Sequence, residues 1–124
     1  MFYSFEKEDI LKASAYIEIR YCKLKPKASI KKIVSTRSIK PWEEDSLYAH
    51  VDDIVSDYAD IFCGGVYNNL KTGPVDLYGI NYYSPDLLKV IIDKIEKRKP
   101  LDYEALLAWL KAGEKYNGIY VLGI

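Results

Sequence analysis

His50 is the only histidine in the chain, so any serine–histidine–aspartate or cysteine–histidine scheme must run through it. Asp53 and Asp57 follow at three and seven positions, which on one helix brings carboxylates to the side of the ring. A hydrogen-bonded surface histidine accounts for the same spacing. No Gly-x-Ser-x-Gly elbow is present, and Cys22 and Cys63 carry neither a catalytic signature nor metal-type spacing. Asp53, Asp57 and Asp60 share a helix side and could offer oxygens to a cation, but nothing further along the chain completes a ligand set. The glycines form neither Gly-x-x-x-x-Gly-Lys nor Gly-x-Gly-x-x-Gly, so no phosphate cradle is expected. The residues therefore predict no enzyme, no catalytic residue, no metal and no cofactor.

Charge carries more information. The 124 residues hold 18 basic and 18 acidic side chains, a formal net charge of zero. Residues 1–40 contain ten Lys or Arg against four acids, a net of +6. Residues 41–66 contain seven acids and no Lys or Arg, a net of −7. The remainder has eight basic and seven acidic residues. The balance is a cancellation of blocks, which argues against a uniformly basic nucleic-acid binder.

Leu47, Val51, Ile54, Val55, Tyr58, Ile61 and Phe62 recur at helical spacing and predict a helix over 46–62. Its aspartates fall opposite the Leu47, Val51, Ile54 and Tyr58 stripe with no cation three or four positions away, and like charges so placed repel by a few tenths of a kcal/mol per pair. The helix N-terminus accounts in part for Glu43, Glu44 and Asp45, but not for Asp52, Asp53 or Asp60. Either this face is solvated or docked on the basic 20–40 segment of the same chain, or it awaits a basic partner. The partner-binding candidates are Glu43, Glu44, Asp45, Tyr48, Asp52, Asp53, Asp57 and Asp60, with Trp42 and Tyr58 as neighbouring aromatics.

The positioning elements follow from apolar period and caps. Ser4 as N-cap, Glu6, Glu8 and Asp9 in a first turn, and the sevenfold repeat Ile10, Ile17, Leu24 predict one long helix over 4–24 that ends at Pro26. The competing reading takes Ile17-Glu18-Ile19-Arg20-Tyr21 as an alternating strand. Ser29 caps a short helix with Ile30, Ile33 and Val34. Asp76–Tyr83 reads as a strand, Ser84-Pro85-Asp86 as a helix start, and Lys97-Arg98-Lys99-Pro100 as its end. Asp102 caps a second helix with a Leu101–Leu106 staple, and Ile119–Leu122 closes as a strand. The expectation is one α+β domain over 1–124, helix-dominated with a small sheet, its C-terminal half strand–helix–helix–strand. Apolar residues make up 49% and charged residues 29%, which suits a globular chain. No apolar run approaches the roughly 20 residues of a membrane span. Met1–Asp9 lacks a basic region leading into an apolar stretch, so a cytoplasmic place with buried thiols is expected. The 12 tyrosines fit half-buried core edges or an interface.

Gly79-Ile80-Asn81-Tyr82-Tyr83-Ser84-Pro85, then Asp102-Tyr103-Glu104-Ala105-Leu106-Leu107-Ala108-Trp109-Leu110, then Tyr116-Asn117-Gly118-Ile119-Tyr120-Val121-Leu122-Gly123-Ile124, resembles small bacterial immunity proteins of contact-dependent growth inhibition and related polymorphic toxin systems. The resemblance covers roughly residues 76–124. It implies a cytoplasmic protein that binds and neutralises a cognate toxin domain, often a nuclease, by stoichiometric contact; it transfers no contact residues. The acidic face then suits a toxin with a basic cleft. Neither membrane nor direct nucleic-acid contact is expected. The alternative is a nucleic-acid-associated or regulatory module that uses Lys23, Lys25, Lys27, Lys31 and Lys32, against which the adjacent acidic block would act. A small enzyme or ligand binder around His50 is a third reading.

Overall fold

The structure is a computed structural model and describes residues 2–4, 16–39 and 43–123. In chain order the elements are β1 (Phe2–Ser4), β2 (Tyr16–Tyr21), α1 (Ile30–Ile33), a 3₁₀ turn (Thr36–Ser38), β3 (Leu47–His50), α2 (Val51–Asp57), β4 (Gly65–Val66), β5 (Thr72–Gly73), β6 (Ile80–Tyr83), α3 (Pro85–Arg98), α4 (Tyr103–Ala112) and β7 (Ile119–Leu122). The strands form one seven-stranded sheet, ordered β1-β3-β2-β7-β6-β4-β5, with every pairing antiparallel.

This sheet overturns the helix-dominated fold. Two expected helices give way to strands. Tyr16–Tyr21 lies at the centre, between β3 and β7, with Ile19 opposite both Leu47 and Val121. Its side chains obey the twofold period of a strand: Ile17, Ile19 and Tyr21 enter one core cluster, while Cys22 enters another. A strand with a partner on each side satisfies its backbone in two ladders and buries both faces, which outweighs a sevenfold coincidence of Ile and Leu. The expected Ser4 cap is lost as well, because Ser4 ends β1. The Glu6, Glu8 and Asp9 first turn, Ile10, Lys40 and Trp42 lie outside the described residues.

The expected 46–62 helix also breaks. Leu47–His50 is β3, paired with β1 on one side and β2 on the other, and only Val51–Asp57 is helical. Leu47, Val51, Ile54 and Tyr58 do belong to the same core cluster, so the apolar spacing was real. It is shared between a strand of the sheet and a helix that packs on that sheet's face. Val55, counted among the residues at helical spacing, is 54% exposed.

In the C-terminal half the expected Asp76–Tyr83 strand shortens to Ile80–Tyr83, because Asp76 accepts from the Tyr78 N–H at 2.9 Å and turns the chain, while the start and end signals of α3 operate as written. The Ser84 hydroxyl accepts from the Leu87 N–H at 3.3 Å, Pro85 opens α3, and Lys99 terminates it in a left-handed conformation before Pro100. Asp102 differs. It holds the N-cap position at φ 59° without a side-chain cap bond, and its Oδ2 accepts from the Phe2 N–H at 3.3 Å, tying β1 to the helical hairpin. Leu101 is 67% exposed and makes no staple.

The sheet separates two apolar clusters. On one face Ile17, Ile19, Ile119 and Val121 meet α2, α3 and α4 through residues such as Ile54, Ile91, Ile95, Leu106 and Leu110. On the other, Cys22, Tyr82 and Tyr120 meet Ile33 and Val34, with Leu24, Ala28 and Ile39 packed around them. The acidic α2 and the basic 23–39 segment thus pack on opposite faces of one sheet. Cys22 is buried, Cys63 is exposed, and both are free thiols.

Candidate binding surface

His50 sits at the strand-to-helix junction in an extended conformation, and its Nδ1 accepts from the Asp52 N–H at 3.1 Å. It is the N-cap of α2, a position where any acceptor side chain satisfies an orphan amide. The Asp52 carboxylate stands 3.5 Å from the same nitrogen, and the Tyr16 ring meets the imidazole edge-on at 5.4 Å. The ring therefore precedes the helix that was expected to carry it alongside Asp53 and Asp57.

Moving the helix start to Val51 changes what the acids mean. Asp52 and Asp53 fall in the first turn, where the helix dipole favours them. Asp57 becomes the last helical residue and Asp60 lies in the turn beyond, where the dipole disfavours negative charge, and the last turn holds no basic residue. Among the described residues no ion pair reaches Asp53, Asp57 or Asp60. Asp57 accepts from the Ser56 hydroxyl at 3.0 Å, and the Lys94 ammonium donates to the Asp60 backbone carbonyl at 3.4 Å. Both carboxylates are exposed.

The remaining candidates lie apart from α2. The Glu43 N–H donates to Glu18 Oε2 at 3.1 Å, and its carbonyl accepts from the Tyr48 hydroxyl at 3.2 Å. Tyr48 is fully buried, which puts it out of a partner's reach. Asp45 is paired with Lys23 at 2.8 Å, and its carbonyl accepts from the Trp109 indole at 2.7 Å. That carboxylate holds the Lys23 ammonium above the usual lysine range, chiefly through their hydrogen bond. Glu43, Glu44, Asp45 and Lys23 line an open polar hollow of about 480 Å³. The structure does not gather the eight candidates into one surface. It leaves Asp52, Asp53, Asp57 and Asp60 on α2 and its following turn, and uses Asp45 internally. Among the described residues Lys23–Asp45 is the one ion pair between the basic and acidic blocks.

Two constellations escaped sequence reasoning. The first is Glu18–Arg20, buried on the central strand, with Arg20 Nε on Glu18 Oε2 at 2.8 Å and Nη2 on Oε1 at 3.0 Å. The Ser46 hydroxyl adds a third donor to Oε2 at 2.6 Å. The signal was available in the strand alternation, which puts both residues on one face. The second is an aromatic stack in which Tyr21 lies on Trp109 at 3.9 Å and 7° and on Tyr116 at 4.9 Å. Gly113 makes room for it, since a Cβ there would stand 2.0 Å from the Tyr21 ring. No local pattern announces a contact across such sequence distances.

Among the described residues, no His, Cys, Asp and Glu side chains gather in threes to hold a metal, and no helix is long and apolar enough to cross a membrane. The chain matches no known family, curated protein or solved structure.

Proposed function

We propose that the chain is an immunity protein that binds a cognate toxin domain one-to-one and blocks its basic cleft, most readily a nuclease cleft, without turning over a substrate or using a cofactor. The observation that carries this reading is the placement of Asp57 and Asp60. Exposed carboxylates at the negative end of a helix cost the free protein a few tenths of a kcal/mol each, and a cationic partner repays that cost. Asp52 and Asp53, on the same short helix, extend the negative surface toward its start. Complementary charge of this kind accelerates encounter and selects among partners. The likeness of residues 76–124 to immunity proteins points the same way.

The test is a search for a toxin domain encoded beside this gene, followed by its titration with the chain; a neighbourhood that encodes no toxin domain overturns the function. The toxin's nuclease activity is expected to vanish at one equivalent of chain. Asp57→Lys combined with Asp60→Lys is expected to weaken binding at least tenfold, about 1.4 kcal/mol, and to flatten its salt dependence. The variant's thermal midpoint alone should hold or rise, since the substitutions suit the helix dipole. Toxin activity that persists at saturating chain overturns the function; an unchanged affinity and salt response in the double variant overturns the interface.

A further inference from the structure

The sheet face opposite α2 displays the chain's other charge block, and its architecture differs from that of a solvated tail. Lys25, Lys27, Lys31, Lys32 and Arg37 are all exposed, and among the described residues no ion pair reaches any of them. The backbone that carries them is held from three other parts of the fold. The Asn117 amide donates to the Lys25 carbonyl at 3.2 Å, the Tyr120 hydroxyl to the Ile33 carbonyl at 2.6 Å, and the Asn68 amide to the Val34 carbonyl at 2.8 Å. Local caps add to this: Ser29 Oγ accepts from the Lys32 N–H and Ser35 Oγ from the Arg37 N–H, each at 3.3 Å. Ile33 and Val34 are plugged into the second core cluster. Five cations therefore project from a fixed platform, whose ordering cost is met on folding instead of on binding.

In sequence the acidic block abuts this segment and would repel a polyanion. In space the acids of α2 do not abut it, because α2 packs on the other side of the sheet, and only Glu43, Glu44 and Asp45 approach it, at Lys23. The acid nearest on the strand, Glu18, is bound to Arg20. We infer that this basic face binds the phosphate backbone of duplex nucleic acid, without reading bases. Lysine ammoniums and neutral hydroxyl and amide donors are the groups that contact phosphates. Among the described residues no exposed aromatic stands on the platform, which argues against single strands that stack on rings. An anionic membrane would call for an apolar face, but α1 is a single turn with Ile33 turned inward and only Ile30, at 41% exposure, turned out.

The experiment uses the intact chain alone and a fluorescein-labelled DNA duplex, read by anisotropy across a salt series. Nonspecific binding is expected at a Kd on the order of 10⁻⁴–10⁻⁶ M at physiological salt, tightening at lower salt with a log–log slope of about −0.9 per phosphate contacted. Lys31→Glu with Lys32→Glu is expected to weaken binding at least tenfold and to reduce the slope by about 2. Lys25→Glu with Lys27→Glu provides a second variant on the same face. Lys89→Glu, on α3 at the opposite face of the sheet, is expected to leave the affinity unreduced. Circular dichroism confirms that each variant is folded. No binding at low salt overturns the inference, as do wild-type affinity in both lysine variants, tighter binding to the matching single strand, or binding confined to phosphatidylserine vesicles.

Discussion

Glu18 and Arg20 show how a charge count misleads at the level of single residues. Arg20 contributes to the formal excess of the first forty residues, yet its guanidinium is buried in bidentate contact with Glu18 and takes no part in the surface field. Such a pair contributes little net stability, but breaking it is expensive, because one charge stays buried. Glu18→Gln is expected to cost about 3–5 kcal/mol in denaturant unfolding, and adding Arg20→Met to the same chain should recover a good part of it. A single variant as stable as the parent would refute the burial of the pair. The alternation that places both residues on one strand face was legible in Ile17-Glu18-Ile19-Arg20-Tyr21. What could not be read was that the strand is central, because the partners that make it so come from Leu47–His50 and Ile119–Leu122.

The elements divide by where their instructions lie. For α3 they are local: Ser84 and Pro85 at the start, Asp86 in the first turn, Lys97 and Arg98 in the last, Pro100 beyond. One detail runs against propensity. Lys99 adopts φ 45° at the helix end, a conformation that strains any residue with a Cβ. Lys99→Gly is therefore expected to raise stability by about 0.5–1 kcal/mol in thermal unfolding, the relief of strain exceeding the added freedom of glycine in the unfolded chain. A lower thermal midpoint would contradict this. For α2 the instructions are not local. Its apolar spacing extends back to Leu47, and only the pairing of β3 with β1 and β2 halts the helix at His50. The candidate surface inherits that shift: residue types on α2 were visible in the sequence, but which acids sit at the unfavourable helix end depended on where the helix begins.

Across the whole molecule, tyrosine serves as a tether. The buried phenols of Tyr21, Tyr58, Tyr82, Tyr83 and Tyr120 donate to the carbonyls of Trp109, Leu101, Asn117, Phe62 and Ile33, joining sheet and core to turns and helix ends far along the chain. Burial pushes the Tyr21 phenol up to about 12, with the Asp45 charge adding to it. Burial is also the leading cause that raises Tyr48, Tyr58, Tyr82, Tyr83 and Tyr120. Unfolded phenols ionise near 10, so above that pH the unfolded chain sheds protons that the folded chain keeps. Stability from these groups is fully present below about pH 10 and is lost as pH rises through the raised folded values. Tyrosinate absorbance and circular dichroism followed together should show one steep joint transition in alkali. Smooth ionisation of all phenols near pH 10 with the dichroism intact would contradict it.

The sequence by itself determined the charge blocks, the apolar period of the C-terminal helices and the Ser84 cap of α3, because each depends on residues within a turn or two of one another. Tertiary structure alone decided that Tyr16–Tyr21 and Leu47–His50 are strands, since a strand's backbone is satisfied by partners distant in the chain. It also decided the relation between the two charge blocks. Adjacent in sequence, they meet where Glu43, Glu44 and Asp45 surround Lys23, while α2 and the 23–39 segment pack on opposite faces of one sheet, because the strand between them buries alternate side chains to opposite sides.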